Sequence, residues 1–236
     1  MTDATTTAAP APSLAEDVLL VLFDPASGSI FSEGSPLFHV LAGAALTELA
    51  LAGQVDIDCK TTLRGRQVRV TDLPAPTDPL LLGTWQRVES RPTDAYSLVL
   101  EIGPGLRAPT LERLVERGVL RREATKMLGF IPGSRLVEGG AGRRGELIAS
   151  LWRVLVDGAE PSVREAALAT LVSASGSLPA MHREIQWSGD VYTRGRALQQ
   201  GKWGARIAGD AIAVAAAAMM STALFVTVGL PALEGE

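Results

Sequence analysis

The chain has 236 residues, of which 47% are hydrophobic and 20% are charged, and its formal net charge is −4. This composition supplies enough apolar side chains for a folded core and excludes a wholly disordered chain. The lone cysteine, Cys59, excludes an internal disulfide and a cysteine-rich zinc site, and it favours a reducing, cytoplasmic location.

The N-terminal region predicts a disordered tail followed by a helix. Residues 1–12 contain no cluster of large apolar or basic side chains, so they cannot form a core or a secretory signal. Ser13 and Glu16 have the spacing of a capping box, in which each side chain binds the other residue's backbone amide. We therefore expect a domain over residues 13–233 that begins with an apolar helix at Leu14.

The next segment has the layout of a winged helix. Apolar residues recur with helical periodicity from Leu37 to Leu51, and Gly53 then ends the helix. Residues 55–57 and 67–71 alternate as strands do, and Arg64-Gly65-Arg66 forms the turn between them. The order of helix, strand, turn and strand predicts a small winged-helix-like unit.

The middle of the chain predicts several short helices. Residues 80–89 and 96–102 have helical patterns, and Gly103-Pro104-Gly105 is expected to break the second helix. Thr110 has the position of an N-cap for a further helix that ends at Gly118. Because a strand and a turn follow, the same order recurs and predicts a second winged-helix-like unit.

The residues after this helix predict a protruding apolar β-hairpin surrounded by positive charge. The apolar side chains at its turn are Met127, Leu128, Phe130 and Ile131, and the flanking basic residues are Arg121, Arg122, Lys126 and Arg135. Between Arg107 and Arg144 there are nine basic and four acidic residues, so this stretch carries +5 and the rest of the chain carries −9. Such a surface favours anionic partners, either a membrane or a nucleic acid.

The C-terminal half is predicted to be helical. Helical patterns cover about residues 146–156, 162–172 and 191–200, and residues 211–233 form an apolar run without charge. That run is long enough to cross a bilayer, but its many alanines favour a helix buried inside the protein. The fold class is therefore mainly α: a single helical domain with a buried central helix, winged-helix-like units and a protruding apolar β-hairpin.

No arrangement of residues indicates catalysis, a metal or a cofactor. His39 and His182 lack metal-ligand spacing, and the sequence contains no phosphate-binding loop or nucleophile-elbow motif. Glu112 and Glu116 lie one helical turn apart, but the neighbouring arginines favour a solvated, charge-paired helix edge over acid–base chemistry. We therefore expect a protein that is not an enzyme.

Several segments together resemble the Golgi phosphoprotein 3 family, in its bacterial-type members. The resemblance rests on LAEDVLLVL (14–22), LTELALAGQV (46–55), LVERGVL (114–120) and the hairpin with its following turn, and it covers about residues 13–230. It implies a mostly α-helical domain with a basic pocket and a hydrophobic hairpin that enters the bilayer. Eukaryotic members bind phosphatidylinositol 4-phosphate in that pocket, and no cofactor is implied.

The phosphate-binding positions of the family are matched in part. The tryptophan position falls at Phe31, two basic positions fall at Ala42 and Pro104, and the last basic position is kept as Arg107. Each missing basic group removes charge-assisted hydrogen bonds to phosphate. The resemblance therefore implies a phosphate affinity lower than that of the eukaryotic members.

The sequence thus favours a cytoplasmic, non-catalytic protein that binds anionic phospholipid reversibly at a membrane face, through Arg107 and the hairpin residues Arg121 and Arg122. By resemblance, it acts as an adaptor for a membrane-protein client. One alternative is a nucleic-acid-binding regulator of winged-helix type, which is disfavoured because the candidate recognition helix, 37–51, has no lysine or arginine. In another alternative, the hairpin tip joins two copies into a homo-oligomer.

Overall fold

The computed structural model describes residues 11–58, 66–127, 131–140 and 142–201. Within these ranges, small antiparallel sheets are attached to a group of packed helices, which confirms the predicted mainly α class. The described helices are α1 (Leu14–Val21), α2 (Ser35–Leu51), α3 (Pro79–Ser90), α4 (Ala95–Glu116), α5 (Arg143–Leu155), α6 (Val163–Ala174) and α7 (Gly189–Gln199). The described strands are β1 (Phe23–Asp24), β2 (Ser29–Ile30), β3 (Val55–Ile57), β4 (Gln67–Val70), β5 (Thr93–Asp94), β6 (Leu120–Met127) and β7 (Ile131–Glu138).

Capping boxes start two helices where the sequence predicts helices. The Ser13 hydroxyl accepts a hydrogen bond from the Glu16 amide, and the Glu16 carboxylate accepts one from the Ser13 amide at 2.8 Å, which confirms the capping box of α1. Ser162 and Glu165 form the same arrangement at the start of α6. Such a cap contributes about 1 kcal/mol, because it satisfies amides that the first helical turn leaves unpaired.

Helix α1 is buried along its whole length and lies at the centre of the described fold. All eight residues are buried, and the helix packs on α2, α4, α5 and α6. Its two carboxylates need charged partners, because an unpaired buried charge is strongly destabilising. Asp17 accepts hydrogen bonds from Arg143 and Arg164, and Glu16 lies 2.6 Å from the Nε atom of Arg117. These ion pairs connect the start of α1 to α4, α5 and α6.

A helix followed by a β-hairpin occurs twice, as the sequence predicts. β3 and β4 follow α2 and pair antiparallel, β5 adds a third strand to that sheet, and β6 and β7 follow α4. Most side chains of α2 between Leu37 and Leu49 are buried, so this helix cannot lie in a nucleic-acid groove as a recognition helix does. Arg64 and Gly65 of the predicted turn lie outside the described residues.

Helix α4 corrects the prediction of a break at Gly103-Pro104-Gly105. The helix is continuous from Ala95 to Glu116, with two prolines inside it. Thr110, predicted to cap a new helix, lies in its interior and donates a hydrogen bond to the Leu106 carbonyl oxygen at 2.7 Å. Glycine and proline destabilise a helix interior by about 1 and 3 kcal/mol. The packing of α4 on α1 and α2 outweighs this local preference.

The β6–β7 hairpin projects from the helical body, as predicted. Leu120 is fully buried and Leu136 packs on the core, whereas residues 121–124 are all exposed. Successive side chains of a strand point to opposite faces, so four consecutive exposed residues mean that neither face is covered there. The backbones of Met127 and Ile131 pair at the far end of the hairpin.

Several predictions concern residues outside the described ranges. Leu128, Phe130 and the side chains of Met127 and Ile131 lie outside the described residues, as do most of the predicted tail and the apolar run 211–233. Among the helices that are described, none has the length and apolar character to cross a membrane. The three predicted C-terminal helices are confirmed as α5, α6 and α7.

Candidate functional site

The close crossing of α4 and α2 positions Arg107. A Cβ atom at Gly103 would lie 2.6 Å from the carbonyl oxygen of Phe38, so a glycine is needed for α4 to approach the first turn of α2 this closely. One helical turn further along, Arg107 meets the loop that precedes α2. Its Nε and Nη2 atoms donate hydrogen bonds to the Glu33 carboxylate at 2.5 and 2.9 Å. This bidentate ion pair joins residues that are 74 positions apart.

The loop before α2 is held in a defined conformation beside this ion pair. Phe31 is half-buried and packs against the core. Ser32 has a φ of 57°, in the left-handed region that few residues other than glycine adopt. Its hydroxyl is hydrogen-bonded to the Ser177 hydroxyl at 2.5 Å, which fixes the loop against the segment after α6. The loop that carries Phe31 thereby also places Glu33 against Arg107.

The two predicted hairpin cations have different partners. Arg122 forms a bidentate ion pair with Glu112 of α4, with distances of 2.5 and 2.9 Å. Arg121 points to the opposite face of β6 and lies 3.9 Å from Glu123, with 62% of its side chain exposed. An external phosphate can therefore reach Arg121 directly, whereas it has to displace Glu112 to reach Arg122.

The Arg107 loop lies next to the base of the hairpin. A Cβ atom at Gly28 would lie 2.8 Å from the Leu136 carbonyl oxygen, so the β1–β2 turn rests directly on β7. This turn leads into the loop that carries Glu33. Arg107 and Arg122 bind different carboxylates, Glu33 and Glu112, so the predicted phosphate-binding arginines belong to two separate ion pairs.

Four of the nine basic residues in the predicted positive stretch turn inward, which corrects the expected surface charge of +5. These four are Arg113, Arg117, Arg143 and Arg144, and each pairs with a carboxylate of another element. Arg144 is 7% exposed, and its two Nη atoms each donate to the Glu184 carboxylate at 2.6 Å. The other five basic residues of this stretch lie on the hairpin or, in the case of Arg107, beside the loop before α2.

An apolar groove of about 680 Å³ lies between α3 and α4, and Arg113 is among its lining residues whereas Arg107, Arg121 and Arg122 are not. Leu80, Gly105 and Leu106 are among its lining residues. Because successive residues turn by about 100° around a helix axis, Gly105 and Arg107 point in nearly opposite directions. Within the described ranges, no three His, Cys, Asp or Glu side chains gather as metal ligands do. The candidate site is thus the exposed surface formed by the Arg107 loop and the hairpin.

The sequence matches the model of a known family. The sequence model of the Golgi phosphoprotein 3 (GPP34) family matches residues 14–215, which is most of the chain. This chain belongs to the Golgi phosphoprotein 3 family. A search of curated individual proteins finds no match. The family match begins one residue after the predicted start of the domain at residue 13.

The positions that the resemblance predicts to bind phosphate have different environments in this member of the Golgi phosphoprotein 3 family. Ala42 is fully buried inside α2 and Pro104 lies within α4, and neither side chain carries a charge. Sequence reasoning missed Glu33 and Glu112, the carboxylates that bind two of the three candidate arginines. Opposite charge was the only signal for these pairs, since no motif links the partners. The sequence thus identified Arg107 and Arg122 but not the carboxylates with which they form ion pairs.

Proposed function

We propose that this member of the Golgi phosphoprotein 3 family is a non-catalytic peripheral membrane protein that docks reversibly on the cytoplasmic face of an anionic membrane. The observation that carries the proposal is the β6–β7 hairpin. It extends away from the helical body, and residues 121–124 of β6 are exposed on both faces of the strand. The residues at its tip are apolar, namely Met127, Leu128, Phe130 and Ile131. An apolar tip on a projecting hairpin fits insertion into the boundary between headgroups and acyl chains.

The length of the hairpin suits this role. A strand rises about 3.3 Å per residue, so Met127 lies roughly 17 Å from Arg122. The headgroup layer on each side of the hydrocarbon is only about 5–7 Å thick. An inclined hairpin therefore reaches the acyl boundary while Arg121 and Arg122 stay near the headgroups and the helices stay in water.

Apolar insertion and charge both contribute to the binding free energy. A fully buried Met, Leu, Phe or Ile side chain contributes about 1.5–3 kcal/mol, so partial insertion of four leaves on the order of a few kcal/mol. Each arginine near an anionic leaflet adds about 1 kcal/mol, and salt screens this contribution over a Debye length of about 8 Å. These magnitudes support binding that is reversible and sensitive to salt.

Phosphate recognition in this proposal belongs to Arg107 and Phe31 beside α2 and to Arg121 and Arg122 on the hairpin. A guanidinium group binds phosphate through two parallel hydrogen bonds, and Arg107 holds a carboxylate in that same geometry. Family resemblance favours a headgroup like that of phosphatidylinositol 4-phosphate. The same resemblance supports an adaptor role, in which the docked domain binds a membrane-protein client.

Vesicle flotation tests the proposal. The wild-type protein is expected to float with vesicles of equimolar phosphatidylcholine and phosphatidylglycerol, and to float less at higher salt. Changing Met127, Leu128, Phe130 and Ile131 together to serine is expected to lower the vesicle affinity at least about tenfold, which corresponds to 1.4 kcal/mol. Unchanged binding of this hairpin-serine variant would overturn the proposal.

A matched control separates the hairpin from apolar surface in general. Leu51, Leu73 and Leu100 are exposed leucines elsewhere on the domain, with 37%, 50% and 42% exposure. Changing these three to serine is expected to leave flotation unchanged. If the hairpin-serine variant instead kept its vesicle binding and dissociated a dimer, as measured by mass in solution, the hairpin would be an interface between copies.

A further inference from the structure

We propose that Glu33 competes with a headgroup phosphate for Arg107 and thereby sets how tightly this surface binds anionic lipid. The inference rests on the proposed function, because it requires Arg107 to contact a phosphate. Glu33 already accepts hydrogen bonds from the Nε and Nη2 atoms of Arg107, at 2.5 and 2.9 Å. A phosphate oxygen pair uses the same fork of donors, so phosphate and carboxylate cannot both be bound this way.

The conformation of the loop delivers Glu33 to this position. The residues on either side of it both have positive φ, with 57° at Ser32 and 93° at Gly34. The Ser32 hydroxyl is bound on the far side to the Ser177 hydroxyl at 2.5 Å and lies 3.3 Å from the Ser175 carbonyl oxygen. A non-glycine residue keeps a positive φ where the surrounding structure determines it. Glu33 is therefore aimed at Arg107 by a constrained loop, unlike a carboxylate on a freely moving surface side chain.

Exposure makes this ion pair exchangeable. The side chains of Arg107 and Glu33 are 33% and 48% exposed, so a headgroup can reach both. Exposed ion pairs are weak, because water solvates the separated charges and side-chain entropy opposes pairing. The pair between Asp17 and Arg143 differs, since Asp17 is only 2% exposed and cannot release its partner to an external anion. Of these two pairs, the Glu33 pair can open to admit a phosphate without unfolding the domain.

Removing the Glu33 charge removes the carboxylate that competes with phosphate for the hydrogen-bond donors of Arg107. Glu33→Gln is therefore expected to raise the affinity for anionic vesicles about two- to fivefold, the range that an exposed ion pair spans. The gain should require Arg107. In the double variant that also carries Arg107→Ala, the affinity is expected to equal that of Arg107→Ala alone.

The experiment measures binding of the full chain to vesicles of equimolar phosphatidylcholine and phosphatidylglycerol. Four variants are compared with the wild type: Glu33→Gln, Arg107→Ala, the double variant and Glu101→Gln. The last is a matched control, because Glu101 is also an exposed carboxylate of a bidentate pair, with Arg87, and its loss changes the net charge equally. The control is expected to leave vesicle affinity at the wild-type level.

The outcomes separate the inference from the function on which it rests. Wild-type affinity in Arg107→Ala removes Arg107 from the lipid site and so contradicts the proposed phosphate contact. A weakened Arg107→Ala together with an unchanged or weakened Glu33→Gln overturns the competition while the phosphate contact stands. An equal gain in Glu33→Gln and Glu101→Gln, or a gain that persists without Arg107, also overturns it, because net charge then explains the effect.

Discussion

The substitution Gly103→Ala tests the close crossing of α2 and α4 that places Arg107 beside the loop carrying Glu33. The Cβ atom of Gly103→Ala would lie 2.6 Å from the carbonyl oxygen of Phe38 and 2.9 Å from its carbonyl carbon, whereas ordinary contacts begin at 3.4 Å. The backbones of α2 and α4 therefore have to separate by roughly 0.8 Å, the difference between these distances. Overpacking of this kind costs about 1–3 kcal/mol, and the better helix propensity of alanine offsets about 1 kcal/mol. We expect a net loss of up to about 2 kcal/mol in the free energy of unfolding.

Gly105 provides the matched control in the same helix. A Cβ atom there would have no neighbour within 4 Å, so Gly105→Ala changes helix propensity without a clash. We expect it to stabilise the protein by about 0.5–1 kcal/mol. Urea unfolding followed by far-ultraviolet circular dichroism gives both values from the shift of the midpoint. If Gly103→Ala were as stable as Gly105→Ala, the close contact between α2 and α4 would be refuted.

Two further predictions concern the charges that hold the fold. Asp17→Asn removes the buried carboxylate that binds Arg143 and Arg164. Because both guanidinium groups are partly exposed, we expect a loss of up to about 3 kcal/mol in urea unfolding, the lower end of the range for a buried pair, and a loss below about 1 kcal/mol would contradict the buried ion pair. Hydrogen bonds from Ser162 lower the pKa of Glu165 from 4.5 to about 2, so the charged carboxylate stabilises the fold above pH 4.5 and this contribution is lost as the pH falls towards 2. Glu165→Ala should therefore lower the free energy of unfolding by about 1 kcal/mol at neutral pH and by almost nothing near pH 2. The exposed ion pair of Glu165 with Arg153 adds little to this value, because water screens it. An equal loss at both pH values, measured by unfolding across this range, would exclude the charge-dependent cap.

Local signals in the sequence predicted much of the secondary structure. The capping box of Ser13 and Glu16 is formed within four residues, so it needs no knowledge of the fold, and Gly118 ends α4 with a φ of 67° as a C-terminal glycine does. The break expected at Gly103-Pro104-Gly105 was wrong, because packing against α2 decides that segment. Gly103 was expected to break a helix, but in the structure its missing side chain allows α4 to contact α2.

The candidate site was less accessible to sequence reasoning than the fold. Arg107 was identified through resemblance, but its partner Glu33 is 74 residues away and comes close only after α2 and α4 cross. The inward turn of Arg144 likewise depends on Glu184, 40 residues further along, reaching it through the tertiary fold. Charge counted along the chain therefore overestimated the positive surface, because it cannot show which cations are paired inside.

Flotation of the wild type beside the hairpin-serine variant tests most directly whether the hairpin binds the domain to lipid. The prediction is that the wild type floats with anionic vesicles, releases as salt rises, and loses at least about tenfold in affinity when the four apolar tip residues become serine. Equal flotation of the two proteins, with both folded, would contradict the account.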